Sequence, residues 1–175
     1  MAWPPFVSFV CFVVKPALIG GIDLFPLQRA PSAMLRPSLR WLPVVLWMGF
    51  IFVVSSRLGA ADNTSRFIGP FLHWLLPQAA PDTIAHLHFL IRKAGHLVEY
   101  AILALLLRRA LGGHGLRPLV LALVIAAAYA ATDEFHQSFV PGRTATPWDV
   151  LIDATGAFIA LIVAAGWRKL RAAPA

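Results

Sequence analysis

Charge is scarce in this chain. Of its 175 residues only 13% are Asp, Glu, Lys or Arg, where a soluble domain carries about 25%. Acids are scarcer still, at 8 against 15 Lys and Arg. Cysteine is nearly absent. The single Cys11 excludes an intramolecular disulfide and a cysteine-built zinc site. No internal repeat is evident, and the length allows one compact domain without a separate soluble catalytic unit. What is abundant is apolar: 59% of the chain, with a mean hydropathy of +0.73. So apolar a surface must be covered by lipid. The net charge of +7 does not point to nucleic acid, because the basic residues flank apolar segments, as topology signals do.

The expectation is an all-α membrane protein, a bundle of about four transmembrane helices. The segments are Trp41–Val54, Ala94–Leu111, Leu116–Thr132 and Val150–Trp167. The first is short of the roughly 20 residues a bilayer core needs, so Ser55 and Ser56 extend it. Pro43 and Pro118 sit near helix starts, where a missing N–H costs little. Gly112-Gly113-His114-Gly115 reads as a tight helical hairpin. Between the first two spans, Asn63–Pro77 carries Phe67, Ile68, Phe71, Leu72, Trp74 and Leu75 largely on one face. It reads as an interfacial helix on the membrane or as a loop tucked between spans. Residues 1–38 read as a poorly structured extension, with Met34 as an alternative start, ahead of a membrane domain over 39–171.

Lys and Arg positions orient the bundle. Arg36 and Arg40, then Arg108, Arg109 and Arg117, then Arg168, Lys169 and Arg171 mark one side as cytoplasmic. Both termini are therefore expected inside. All acids except Asp23 are expected on the opposite, outer side.

The polar residues gather at that outer side. Lys93, His96, Glu99 and Tyr100 form K-x-x-H-x-x-E-Y. Steps of three and four put Lys93, His96 and Tyr100 on one face, with Glu99 beside it. Asp133, Glu134, His136 and Gln137 close the third span. Phe139–Thr144 turns tightly at Pro141-Gly142 and presents Arg143. Thr144 and Thr146 are candidate caps for a helix opened by Asp149, with Asp153 one turn on. Glu99 and Asp153 lie inside apolar runs, where an unpaired charge costs about 2.5–3.5 kcal/mol, so they are expected to face the bundle interior. Gly156 with Ala160, and Ala126 with Ala130, supply the small residues that let helices approach.

These motifs, in the order K-x-x-H-x-x-E-Y, D-E-x-x-Q-x-F-x-P-G-R and D-x-x-x-D-x-x-G, resemble the VanZ-like family. Its members are small bacterial membrane proteins, and the founding one is linked to low-level teicoplanin resistance. The resemblance runs from about Leu42 to Ala165 and includes a serine pair like Ser55-Ser56. It implies a signature at Lys93, His96, Glu99, Tyr100, Asp133, Glu134, Gln137, Pro141, Gly142, Arg143, Asp149, Asp153 and Gly156. Asp153 stands where Asn is common, and Ala160 where a second Gly is common. The resemblance implies residence in the bacterial inner membrane and a role in the cell envelope.

Three readings of the cluster follow. In the first, it is an outward-facing site for an anionic or polar envelope ligand, such as a lipid-linked precursor or a lipid headgroup. Arg143 clamps phosphate or carboxylate and Lys93 adds a point charge. His96, Glu99, Asp133 and Glu134 are the acid–base candidates; Tyr100, Gln137, Asp149 and Asp153 complete the ligand-binding set. No cofactor and no resident metal are assigned. In the second, the cluster is a polar network that fixes helix register, with Glu99 pairing Arg143 or Lys93 and Asp133 pairing His136. In the third, His96 and Glu99 hold a metal with Asp133, Glu134 and His136. A transporter is disfavoured, because the polar residues stay at one face.

Overall fold

The computed structural model describes residues 37–56, 61–113, 115–141, 143 and 145–172. Residues 1–36 of the expected extension lie outside them, as do Gly142 and Thr144, whereas Pro37 and Ser38 belong to the first helix. Every element among the described residues is a helix: α1 (Pro37–Ser55), α2 (Ala61–Leu75), α3 (Pro81–Leu111), α4 (Leu116–Gln137) and α5 (Pro147–Ala172).

The stops and starts follow local chemistry. α3 opens on Pro81 with Asp82 in its first turn and carries Arg108 and Arg109 in its last, which suits both ends of the helix dipole. Gly112, Gly113 and Gly115 adopt φ of 64°, 73° and 91°. A side chain is strained there, so these glycines make the α3–α4 hairpin possible. At the far end of α4 the chain leaves through Ser138 N–H to Glu134 O and Phe139 N–H to His136 O. α5 then starts at Pro147, with Asp149 N–H bonded to Thr146 O.

Every span is longer than the sequence expectation, α4 reaching Gln137 and α5 running Pro147–Ala172. α1 begins before Trp41, so Pro43 lies inside the helix instead of at its start. α3 runs 31 residues instead of starting at Ala94. Hydropathy sees only its apolar second half, whereas hydrogen bonding continues through the polar first half. The segment before it is indeed helical, as α2, with Leu72 buried while Phe67, Phe71 and Trp74 are exposed.

α3 is the central helix and touches all four others, most extensively α5. Its stretch Ile102–Leu107 is buried on every side, as expected of a helix surrounded by others. Val44, Trp47 and Ile51 of α1 pack on it. α4 contributes a stripe at spacing four, Pro118, Ala122, Ala126 and Ala130, which continues without a break into Asp133, Glu134 and Gln137. The acids therefore lie on the face that packs inward. In α5 the corresponding stripe is Asp149, Asp153, Gly156, Ala157 and Leu161. A Cβ on Gly156 would stand 2.3 Å from the Leu97 carbonyl oxygen. Only glycine permits that crossing of α3 and α5.

Outward faces are apolar. Leu42, Val45 and Phe52 of α1, Val120 and Val124 of α4, and Phe158, Ile162 and Val163 of α5 are all exposed. A belt this extensive is unsuited to water. α4 and the stretch Pro147–Arg168 of α5 are long and apolar enough to cross a membrane; α1 has a shorter apolar stretch, Leu39–Ser55.

Candidate functional site

The last turns of α1 and α4, the first turns of α5 and the middle of α3 meet at one end of the bundle, and each brings polar side chains there. The first group is a hydrogen-bonded network with Asp133 Oδ1 and the Tyr100 hydroxyl left unpartnered. Ser55 Oγ donates to Asp133 Oδ2 at 2.7 Å, and Gln137 Nε2 donates to the same oxygen at 3.0 Å. Gln137 Nε2 also lies 3.4 Å from Ser55 Oγ. Ser55, Asp133 and Gln137 are all buried. Asp133 and Gln137 share a face because they are one turn apart; Ser55 arrives from the end of α1. Tyr100 is fully buried beside Asp133.

The second group ties the loop down. Thr146 N–H donates to Glu134 Oε2 at 3.1 Å, so the buried Glu134 carboxylate caps the approach to α5. Arg143 donates from one terminal nitrogen to Val54 O at 2.6 Å, which satisfies a carbonyl at the end of α1. Burial lowers the Arg143 pKa, the like charge of Arg92 adds to this, and Asp133, Glu99 and Glu134 act against it. A guanidinium keeps its charge through such shifts.

The third group lies between α3 and α5. Lys93 Nζ pairs with Asp149 Oδ1. His96 Nδ1 stands 3.8 Å from Asp153 Oδ1 and 4.0 Å from Glu99 Oε2. Asp153 is 1% exposed, and neither of its carboxylate oxygens has a hydrogen-bond partner; His96 Nδ1 and Arg143 Nε are likewise buried and unpartnered. Buried polar atoms are nearly always satisfied, so this concentration of unsatisfied ones marks a place with unused bonding capacity.

A cleft opens onto the cluster. Phe89, Arg92, Lys93, His96, Gln137, Arg143 and Asp149 line it, and its cavity volume is about 40 Å³. Cations therefore stand at the opening, with the acids Glu99, Asp133, Glu134 and Asp153 off its lining.

The structure brings all ten anticipated residues to one end of the bundle, though with other partners than the register reading supposed. Lys93 pairs with Asp149 instead of Glu99. Asp133 is held by Ser55 and Gln137 instead of His136, whose ring lies against Phe52 at 4.4 Å between centroids. The difference is one of helix rotation, which spacing does not specify. Ser55, Arg92, Phe89 and the Thr146 N–H were not anticipated as parts of the site. The serine pair closing α1 was the available signal for Ser55. Nothing in the sequence distinguishes Phe89 from other apolar residues of α3. Among the described residues no group of three or more His, Cys, Asp and Glu side chains has a metal-binding arrangement.

An all-helical bundle with an apolar exterior and ionisable residues collected at one end is the class that fold and site define. The VanZ/LLP1 family model matches residues 40–168, and the chain belongs to that family. No curated protein and no solved structure matches it significantly.

Proposed function

We propose that this protein is a multi-pass inner-membrane protein whose polar cluster faces outward and binds an anionic group of a cell-envelope molecule. α1, α3, α4 and α5 are the spans, with α2 lying in the interface. The observation that carries the reading is the convergence of Arg92, Lys93 and Arg143 on one cleft beside buried, unpartnered polar atoms. Guanidinium and ammonium groups so placed recognise phosphate or carboxylate. The basic residues near Gly113 and after α5 support a cytoplasmic position for the opposite end. Family membership supports an envelope role with an effect on glycopeptide susceptibility.

The test is copurification. Protein extracted into native lipid discs should carry an acidic envelope lipid that mass spectrometry detects, and Arg143→Ala should lose it while remaining folded. Equal lipid on the wild type and the variant overturns the reading. Cells bearing Arg143→Ala should also change in teicoplanin susceptibility relative to cells bearing the wild type.

A second reading rests on the Ser55–Asp133–Gln137 network. In it the cluster holds the helices in register and binds nothing. It predicts that Arg143→Ala and Asp133→Asn both lower the melting temperature and that neither changes lipid content.

A further inference from the structure

We infer that His96 and Asp153 form an imidazole–carboxylate dyad which hydrolyses a terminal phosphate of a membrane-borne phosphate ester or anhydride bound in the cleft. The inference rests on the binding reading above and adds a reaction to it.

The geometry begins at Gly156. Its backbone faces the Leu97 carbonyl, so α5 and α3 cross there too closely for any side chain at position 156. Leu97 follows His96 directly, and Gly156 lies one turn from Asp153. The crossing therefore fixes the imidazole against the carboxylate, with Nδ1 3.8 Å from Oδ1. That separation is beyond hydrogen-bond distance, and catalytic pairs are commonly this loose before substrate arrives. Both partners are otherwise unoccupied: His96 Nδ1 and both Asp153 oxygens are buried without hydrogen bonds. His96 also lines the cleft. With Nδ1 turned inward to Asp153, Nε2 is left as the nitrogen available to a ligand. A carboxylate behind Nδ1 holds the tautomer in which Nε2 is the base.

Cationic side chains in the cleft suit a phosphate substrate. Arg92, Lys93 and Arg143 line it, with Asp149 paired to Lys93, and guanidinium and ammonium groups so placed recognise a terminal phosphate. Arg143, with its Nε unpartnered, keeps a donor free beyond its bond to Val54. Water supplies the nucleophile. Its oxygen bonds to phosphorus as the bond from phosphorus to the leaving oxygen breaks. His96 Nε2 takes the proton from water and returns it to the leaving oxygen. The products are inorganic phosphate and the shortened lipid, and the protein is unchanged. His96 is the catalytic residue, and Asp153 is a positioning residue.

The experiment uses the full chain in lipid discs, with phosphatidic acid and farnesyl diphosphate as probes. Retention of each probe and release of inorganic phosphate are measured separately. Wild type should do both. His96→Gln should retain the probes and release phosphate about 100-fold or more slowly, the contribution usual for a proton-transfer group. Asp153→Asn should lower kcat by a similar factor with KM changed less than about threefold, and Asp153→Glu should recover part of it. Arg143→Ala should lose retention. Wild type that retains a probe yet releases no phosphate overturns the dyad and leaves the binding reading standing. Wild type that retains neither probe overturns both. Asp153→Asn as active as wild type, or an Asp153→Glu variant that melts like wild type yet is as slow as Asn, removes Asp153 from the reaction.

Discussion

The two halves of α3 solve different problems with one helix. From Tyr100 to Ala110 nearly every side chain is buried, and the contacts are Leu, Ile and Ala against three neighbouring helices. From Pro81 to Glu99 only Ile84 is buried, and the polar side chains Lys93, His96 and Glu99 are half-covered by α5 and its loop. The first half is held by close packing, which is non-directional and tolerates exchange of similar shapes. The second is held by paired polar groups, each of which needs one partner in one place. A single helix can thus anchor a rigid bundle and present a site whose bonding capacity is incompletely used.

That contrast can be broken in order of expected effect. Leu103→Ala empties a fully buried position in the packed half. It should cost about 2 kcal/mol or more in reversible unfolding in detergent, from lost contacts and a residual cavity. Gly156→Ala forces α5 off the Leu97 carbonyl at the boundary of the two halves. A cost of about 1–3 kcal/mol is expected, together with loss of the site, since the same crossing sets the distance from His96 to Asp153. Ser55→Ala removes one donor to Asp133 and leaves Gln137 in place. Interhelical hydrogen bonds in membranes are worth about 0.6–1.7 kcal/mol, so a small fall in melting temperature should appear. Val163→Ala, on the exposed face of α5, should change stability by less than about 0.5 kcal/mol. A Val163→Ala cost as large as that of Leu103→Ala would show that the exposed belt is an interface between protein chains and not a lipid-facing surface.

A fifth prediction concerns the site alone. Asp149 occupies Lys93 as an incoming anion would. Asp149→Asn should therefore tighten binding of an acidic lipid in a lipid-disc assay, and Lys93→Ala should weaken it. Weaker binding in Asp149→Asn would show that Asp149 serves the ligand and does not compete with it.

Much of this was legible before any coordinates. Steps of three and four placed Lys93, His96 and Tyr100 together, and the small-residue spacing in α4 and α5 marked the packing faces, because helical geometry converts spacing into direction. The Gly112–Gly115 run announced the hairpin. The start of α3 was not legible, because His86, His88, Arg92 and Lys93 dilute hydropathy without interrupting the backbone ladder.

The sequence by itself determined the apolar helical segments, their inward stripes, the family, and the set of side chains delivered to one end of the bundle. Each of those depends on local periodicity or on motif order. Only the tertiary structure decided the pairings between helices: Lys93 with Asp149, Asp133 with Ser55, Arg143 with the end of α1, and His96 with Asp153. Those depend on the relative rotation and depth of neighbouring helices. Both are set by contacts distant in sequence, above all the approach of Gly156 to Leu97, and no spacing within one helix encodes them.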